Sequence, residues 1–322
     1  MNKRIKTMEH QWLELMEARG ALSAEDQRKL EALEIGFAGE CAFDDWMDRY
    51  GEEQWRVYRD IWIDAGGPTQ LDTMVVTEST VFIFDVKNYS GDYTYMNGRW
   101  SVNGRPIIKD VFVQLKRSLE KVHLMLRQID PVIQAEGSLV FINEHFSFRT
   151  EGELGAQVVM RHGLKKYLQT MDESGVTMRM PIDMLCSRIE SFFIDNPYPP
   201  PACDDDTYFS LKKGVCCCSC GGFRHAVMRY YLKCLECGNQ EAKERAVLRS
   251  ICEYGVLRND RNLKVRDIYF YLNKMISERH IQSILSKYFS AVARGRYASY
   301  ENPGRLMKNL FPEITCKFKN EG

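Results

Sequence analysis

Apolar and polar positions alternate along the chain in blocks that each predict a different element. Residues 7–19 carry a helical stripe, and Ser23-Ala24-Glu25-Asp26 reads as a capping box opening a second helix that extends to about Asp48. The apolar stripe of that second helix is Leu30, Leu33, Phe37 and Cys41. Between Trp55 and Val86 the period shortens to that of strands, with β-branched and aromatic runs broken by Gly66-Gly67-Pro68. Leu71–Thr77 and Thr80–Lys87 read as neighbouring strands joined at Glu78-Ser79. Tyr93–Trp100 and Ser101–Ile107 read as a hairpin with Asn97-Gly98 at its turn.

Helical spacing returns over residues 109–128, with Val111, Leu115, Leu119, Val122 and Leu126 on one side. Gly137–Asn143 is a near-continuous apolar run, the pattern of a buried strand, and Arg161–Met171 and Ile182–Phe193 read as helices. Asn196-Pro197-Tyr198-Pro199-Pro200-Pro201 continues neither a helix nor a central strand, and so marks a linker or domain edge. Residues 241–322 read as mostly helical. The expected organisation is an α/β domain over 1–195, a Pro-containing linker over 196–212, a cysteine-rich module over 213–240 and a basic helical region over 241–322.

Charge sharpens this division. The 322 residues balance at 44 basic against 44 acidic side chains. Residues 211–322, however, hold 21 Lys and Arg against 10 Asp and Glu, a net +11, and residues 1–210 carry the matching −11. A basic module joined to an acidic one points to a polyanionic partner for the basic part. No run approaches about 20 apolar residues, so no membrane span is expected. The basic start, Met1 to Lys6, leads into polar Glu9, His10 and Gln11 rather than an apolar signal segment, so the expected location is cytoplasmic.

The strand Thr80-Val81-Phe82-Ile83-Phe84-Asp85-Val86-Lys87 carries the first candidate chemistry. With period 2, Asp85 and Lys87 share a face with Val81 and Ile83, and burying either charge alone is costly. The preceding strand brings Asp72 to a comparable face, and Glu40 lies three residues after Phe37, near the apolar stripe of its helix. Three carboxylates beside one lysine suit a hard divalent cation, Mg²⁺ or Mn²⁺, that keeps several waters. A lysine placed there can neutralise charge on a pentavalent phosphate.

These residues also carry a family resemblance. Gly39-Glu40, Gln70-Leu71-Asp72, Phe82 through Asp85-Val86-Lys87-Asn88-Tyr89-Ser90-Gly91, Trp100 and Gln114 together resemble the nuclease-related domain, NERD. That domain belongs to the PD-(D/E)xK phosphodiesterase superfamily, and the resemblance covers about residues 30–150. It implies a mixed sheet flanked by helices, like that of restriction endonucleases. By that resemblance Asp72 is the acid of the first motif strand, Asp85 and Lys87 are the (D/E)xK pair, Glu40 is the helical acid and Gln114 the downstream glutamine. The family more often has Glu at the position of Asp85. The implied activity is metal-dependent phosphodiester hydrolysis, most naturally by a DNA endonuclease. The alternative is a non-catalytic DNA-binding or regulatory protein built on a degenerate nuclease domain.

Six of the eleven cysteines fall within residues 216–237. Cys217-Cys218-Ser219-Cys220-Gly221 and Cys234-Leu235-Glu236-Cys237-Gly238 make two CxxCG knuckles separated by thirteen residues. The spacing resembles a zinc ribbon and assigns Cys217, Cys220, Cys234 and Cys237 to one structural Zn²⁺. The repeated two-residue gap selects Cys217 over its neighbours Cys216 and Cys218. Arg224, Arg229 and Lys233 lie among aromatic residues between the knuckles, a mixture suited to phosphate contact and base stacking. Further along, Asn262 to Leu272 and a helix capped by Ser277 read as a helix-turn-helix. There Arg279 and Lys287 lie on the outer face, with Arg294 and Arg296 in a following basic wing.

Overall fold

The computed structural model describes residues 4–108, 110–151, 153–172, 180–293, 295 and 298–302. The chain forms two compact units, Met1–Arg4 with Ala32–Tyr198, and Ile5–Glu31 with Pro199–Gly322. Helix α1 (Met8–Ala18) therefore belongs to the second unit, and the boundary falls inside helix α2 (Ala24–Tyr50). As the capping pattern requires, the Ser23 hydroxyl accepts the Asp26 amide at 3.1 Å.

The first unit is built on a six-stranded mixed sheet and a four-stranded companion. After α2 come β1 (Arg56–Asp64), β2 (Pro68–Val76) and β3 (Thr80–Lys87). A meander follows, β4 (Gly91–Met96), β5 (Arg99–Val102) and β6 (Arg105–Ile107), before the long helix α3 (Val111–Ile129). Next are β7 (Gln134–Phe141), β8 (Phe146–Thr150), β9 (Gln157–Met160), α4 (Leu164–Thr170), α5 (Ile182–Glu190) and the short β10 (Phe193–Ile194). The main sheet runs β10-β1-β2-β3-β7-β9, antiparallel up to β3 and parallel from β3 through β7 to β9. The companion sheet runs β6-β5-β4-β8.

Strand β3 is buried along its whole length, and its alternation sorts side chains between two cores. Val81 and Ile83 pack with Leu115, Val122 and Leu126 of α3, whereas Phe82, Phe84 and Val86 pack with Phe43 and Met47 of α2. The expected hairpin over residues 93–107 is a three-stranded meander instead, because Asn103-Gly104 supplies a second turn with both residues at positive φ.

The second unit starts, after the prolines, with α6 (Asp205–Ser210). A three-stranded sheet follows, β11 (His225–Val227), β12 (Tyr231–Cys234) and β13 (Gln240–Ala242). Then come α7 (Lys243–Leu257), α8 (Val265–Tyr271), α9 (Glu278–Tyr288) and a hairpin of β14 (Ala291–Ala293) and β15 (Ser299–Tyr300). The hairpin is an addition to the mostly helical expectation, and its Tyr300 also bridges back to Leu263 ahead of α8.

Two further departures concern boundaries. Residues 5–31 pack with the C-terminal unit rather than within a domain spanning 1–195. Arg19 explains this: fully buried, it pairs with Glu253 at 2.7 Å, donates to the Lys212 carbonyl at 2.7 Å and lies 4.2 Å over the Tyr271 ring. The stretch 196–212 is in part structured, since Asp204 caps α6 and Tyr208 and Leu211 enter the core. Among the described residues no helix is long and apolar enough to cross a membrane.

Candidate active site and metal centres

The candidate acids gather where two strands separate. The β2–β3 ladder ends at the Thr73↔Phe84 pair, so Asp72 and Asp85, next in register, stand just beyond the last paired residues. There the Asp72 carboxylate accepts the Val86 amide at 3.0 Å. On the other side of β2 the β1 ladder skips the Asp60–Asp72 pair, with Asp60 at φ 48°. This gap releases the Asp72 carbonyl, which accepts a hydrogen bond from Arg4 at 2.9 Å. Glu40 reaches the same region because α2 packs closely at Gly39, where a Cβ would lie 2.5 Å from that of Asn88.

The electrostatics are those of crowded, buried acids. The Lys87 ammonium pairs with Asp85, and the two side chains are only 9% and 10% exposed. Both Asp85 carboxylate oxygens are buried without a hydrogen-bond donor of good geometry, Oδ1 being served by charge contact with Lys87. Burial pushes the Asp85 carboxyl up to about 7; Lys87 opposes this and Asp72 adds to it. Burial likewise pushes Glu40 up to about 7, assisted by Asp72 and opposed by Arg4. For Lys87, burial works against the charged form, but Asp85 and Asp72 outweigh it and raise its pKa.

Gln114 of α3 joins this group. With Gln70, Asp72, Asp85 and Ser118 it lines a cavity of about 20 Å³, room for one water or one small cation. Unsatisfied carboxylate oxygens at a cavity of that size fit a hard divalent ion, with Asp72 and Asp85 as ligands. Glu40 does not line this cavity. Its carboxylate pairs with Arg4 at 2.8 Å, and Glu40, Asp72 and Asp85 do not bring one oxygen each within 4.8 Å of one another.

Sequence reasoning missed Arg4. Its guanidinium also pairs with Asp44 at 2.9 Å and donates to the Thr73 hydroxyl at 3.0 Å, with its side chain 1% exposed. Asp44, one helical turn after Glu40, was the available signal: two acids on one face of a helix call for a cation. Asn88 is a structural tie, donating to the Ile35 carbonyl at 2.8 Å and accepting from Asn143 at 2.9 Å.

In the second unit the sulfurs of Cys217, Cys220, Cys234 and Cys237 all lie within 4.8 Å of one another. Gly221 and Gly238 stand at φ 73° and 77°, and each donates its amide to the carbonyl of the first cysteine of its knuckle at 3.0 Å. A side chain at that φ would be strained, which is why each knuckle ends in glycine. Cys216 and Cys218 lie outside the four-sulfur group: Cys216 contacts the Gly221 carbonyl, and Cys218 takes the Asn239 amide. Four converging thiols are a closed tetrahedral donor set, suited to a structural zinc.

The basic candidates differ in availability. Arg224, Arg229, Lys233 and Arg279 are exposed, with Arg224 3.6 Å from Glu236 and Arg229 against the Tyr230 ring. Lys287 pairs with Glu244 at 2.7 Å. Arg294 and Arg296 lie outside the described residues. In α9 the apolar Ile281, Ile284 and Leu285 are buried, so Arg279 and Ser283 face outward, as a helix-turn-helix arrangement requires.

Comparison with known families agrees with this geometry. Residues 35–142 match the family model of the nuclease-related domain, NERD. That stretch holds Glu40, Asp72, Asp85, Lys87 and Gln114. No curated protein and no solved structure matches the chain.

Proposed function

Because residues 35–142 carry a nuclease-related domain, we propose that the protein is a divalent-metal-dependent nuclease that hydrolyses phosphodiester bonds, with DNA as substrate. The observation that carries this reading is the cavity of about 20 Å³ between Asp72, Asp85 and Gln114, where a carboxylate as buried as Asp85 has only the Lys87 ammonium paired with it. Asp72 and Asp85 hold the ion there, with Glu40 as the neighbouring acid. A bound Mg²⁺ or Mn²⁺ supplies Lewis-acid polarisation of the phosphate and an acidified water. Lys87, fixed by Asp85, offsets negative charge as it develops on the phosphate. Its burial strengthens that effect, since a fixed charge in a low-dielectric site needs no reorganisation. The Gln114 amide is placed to orient the attacking water or a phosphate oxygen, having both a donor and an acceptor.

The second unit supports the same reading as a holder of the polyanion. A knuckled ribbon closed by zinc presents Arg224, Arg229 and Lys233, and the outward face of α9 presents Arg279 to a groove. A binding protein without chemistry is the competing reading, and the engagement of Glu40 by Arg4 favours it. Plasmid incubated with the purified chain and Mg²⁺ or Mn²⁺ decides between them. Nicking that disappears in a Lys87→Ala control supports the nuclease. Retention by α9-bearing protein with no nicking in either metal removes it.

A further inference from the structure

A second, larger groove opens directly beside the carboxylate cavity, and nothing above uses it. It has a volume of about 630 Å³, within the usual range of small-ligand sites. Gln70, Gln114 and Ser118 line both the groove and the cavity, so the two adjoin. At its far side Trp62 of β1 meets Tyr198, ring centroids 5.6 Å apart and planes at 59°, and Tyr198 is 65% exposed. Ile108 is fully exposed beside them.

The polar content of the groove matches its aromatic wall. Gln114, Arg117 and Ser118 lie at i, i+3 and i+4 of α3, so one helix face carries an amide, a cation and a hydroxyl along the groove. Arg117 is exposed and has no acidic partner among the described residues. Among the described residues the one acid lining the groove, Asp110, caps α3, accepting the Phe112 amide at 2.9 Å and the Trp100 indole at 3.3 Å. An open aromatic face, an uncommitted guanidinium and the Gln114 amide one helical turn from it suit one ligand chemistry: a flat heterocycle joined to a phosphate.

We infer that this groove is a nucleotide subsite for an unpaired stretch of the substrate strand. One base stacks on Tyr198 beside Trp62, and the adjoining phosphate lies against Arg117. The inference rests on the nucleic-acid reading of the neighbouring cavity and deepens it. Stacking on a side chain needs a base whose faces are free, so the subsite selects single-stranded or flapped substrate over continuous duplex. Ring faces read the base and not the sugar, so both DNA and RNA strands belong to this chemistry.

The test uses the full-length chain carrying Lys87→Ala, which keeps the strand intact, and oligonucleotides with 2-aminopurine. Single strands should show quenched fluorescence on binding. Tyr198→Ala should abolish the quench and weaken single-strand binding about tenfold, whereas Tyr198→Phe should retain both. Arg117→Ala should weaken binding and lower the dependence of log affinity on log salt by about one. Duplex binding by Tyr198→Ala should match that of the parent. A Tyr198-dependent quench with either DNA or RNA supports the subsite, and the stronger response identifies the sugar. Unchanged single-strand binding and quench in Tyr198→Ala overturn it, as does an equal loss on duplex. Absence of cleavage by the wild-type chain, with the Tyr198-dependent quench intact, would instead sink the nuclease reading and leave the subsite standing.

Discussion

Metal binding to this site should be strongly pH-dependent, because the ion must displace protons from carboxyls that titrate near neutrality. Asp85 stands at about 7, raised chiefly by burial. About a tenth of it is ionised at pH 6 and about nine-tenths at pH 8, so the apparent Mg²⁺ affinity should rise about tenfold over that interval for this one ligand. If Glu40, also at about 7, is a second such ligand, the rise should approach a hundredfold. The sign for folding is the reverse. Without metal the native state keeps a proton on Asp85 that the unfolded chain gives up near its ordinary 3.8. Stability should therefore fall as pH rises from about 4 to about 7 and then level off, a loss of about 4 kcal/mol for Asp85. Added Mg²⁺ should recover stability, and more at pH 8 than at pH 6. Calorimetric titration with Mg²⁺ and Mn²⁺ at pH 6, 7 and 8, in two buffers of different ionisation heat, reads both the affinity and the protons released. Affinity flat with pH and no proton release would refute the reasoning, as would unchanged binding in Asp85→Asn.

Three other outcomes are expected. Lys87→Ala should lower single-turnover cleavage by about 10²–10³-fold while metal still binds, with binding displaced to higher pH because Asp85 loses its cation; wild-type rates in the purified variant would show that another site cuts. Gly39→Ala should cost about 1–3 kcal/mol in thermal or urea unfolding, since its Cβ would sit 2.5 Å from that of Asn88 and 3.3 Å from Ile142; parental stability would mean α2 shifts at no cost. Purified protein should contain about one zinc per chain by elemental analysis; no zinc, with four freely titratable knuckle thiols in the native protein, contradicts the site.

Elements with an unambiguous period were legible in the sequence. The period of Thr80–Lys87 identifies a strand with Asp85 and Lys87 on the Val81–Ile83 side, and that of α3 puts Val111, Leu115, Val122 and Leu126 inward, because burial on one face leaves a regular spacing. The CxxCG repeat likewise contained its own geometry. Elements held by distant contacts were not legible. β10 is only two residues long and exists because Phe193 and Ile194 pair with β1. Nothing in the pattern of α1 says that Arg19 will be buried against Glu253, 234 residues later. Arg4 was invisible for the same reason, its partners being 36 to 69 residues away. The groove at Trp62 and Tyr198 is formed by residues 136 positions apart, one in a strand and one at the head of a proline run.

The place of Glu40 in the metal site turns on Arg4. Asp72 and Asp85 line the cavity, whereas Glu40 is held by a guanidinium that also engages Asp44 and the Asp72 carbonyl. Mg²⁺ commonly binds through one or two carboxylates and keeps its remaining waters, so Asp72 and Asp85 suffice as the protein's ligands. On that arrangement Arg4 does for Glu40 what Lys87 does for Asp85: it keeps charge in a buried acid cluster at a tolerable cost. Removing Arg4 takes away the cation that opposes the burial of Glu40, so its carboxyl should titrate higher still and stand free to meet the ion. Mg²⁺ binding by Arg4→Ala should then release about one to one and a half protons at pH 7, where the parent releases about half of one, with a steeper rise of affinity between pH 6 and 8. Calorimetry in paired buffers reads this directly, with unfolding midpoints confirming that the variant is folded. Proton release unchanged from the parent would place Glu40 outside the ligand set with or without Arg4.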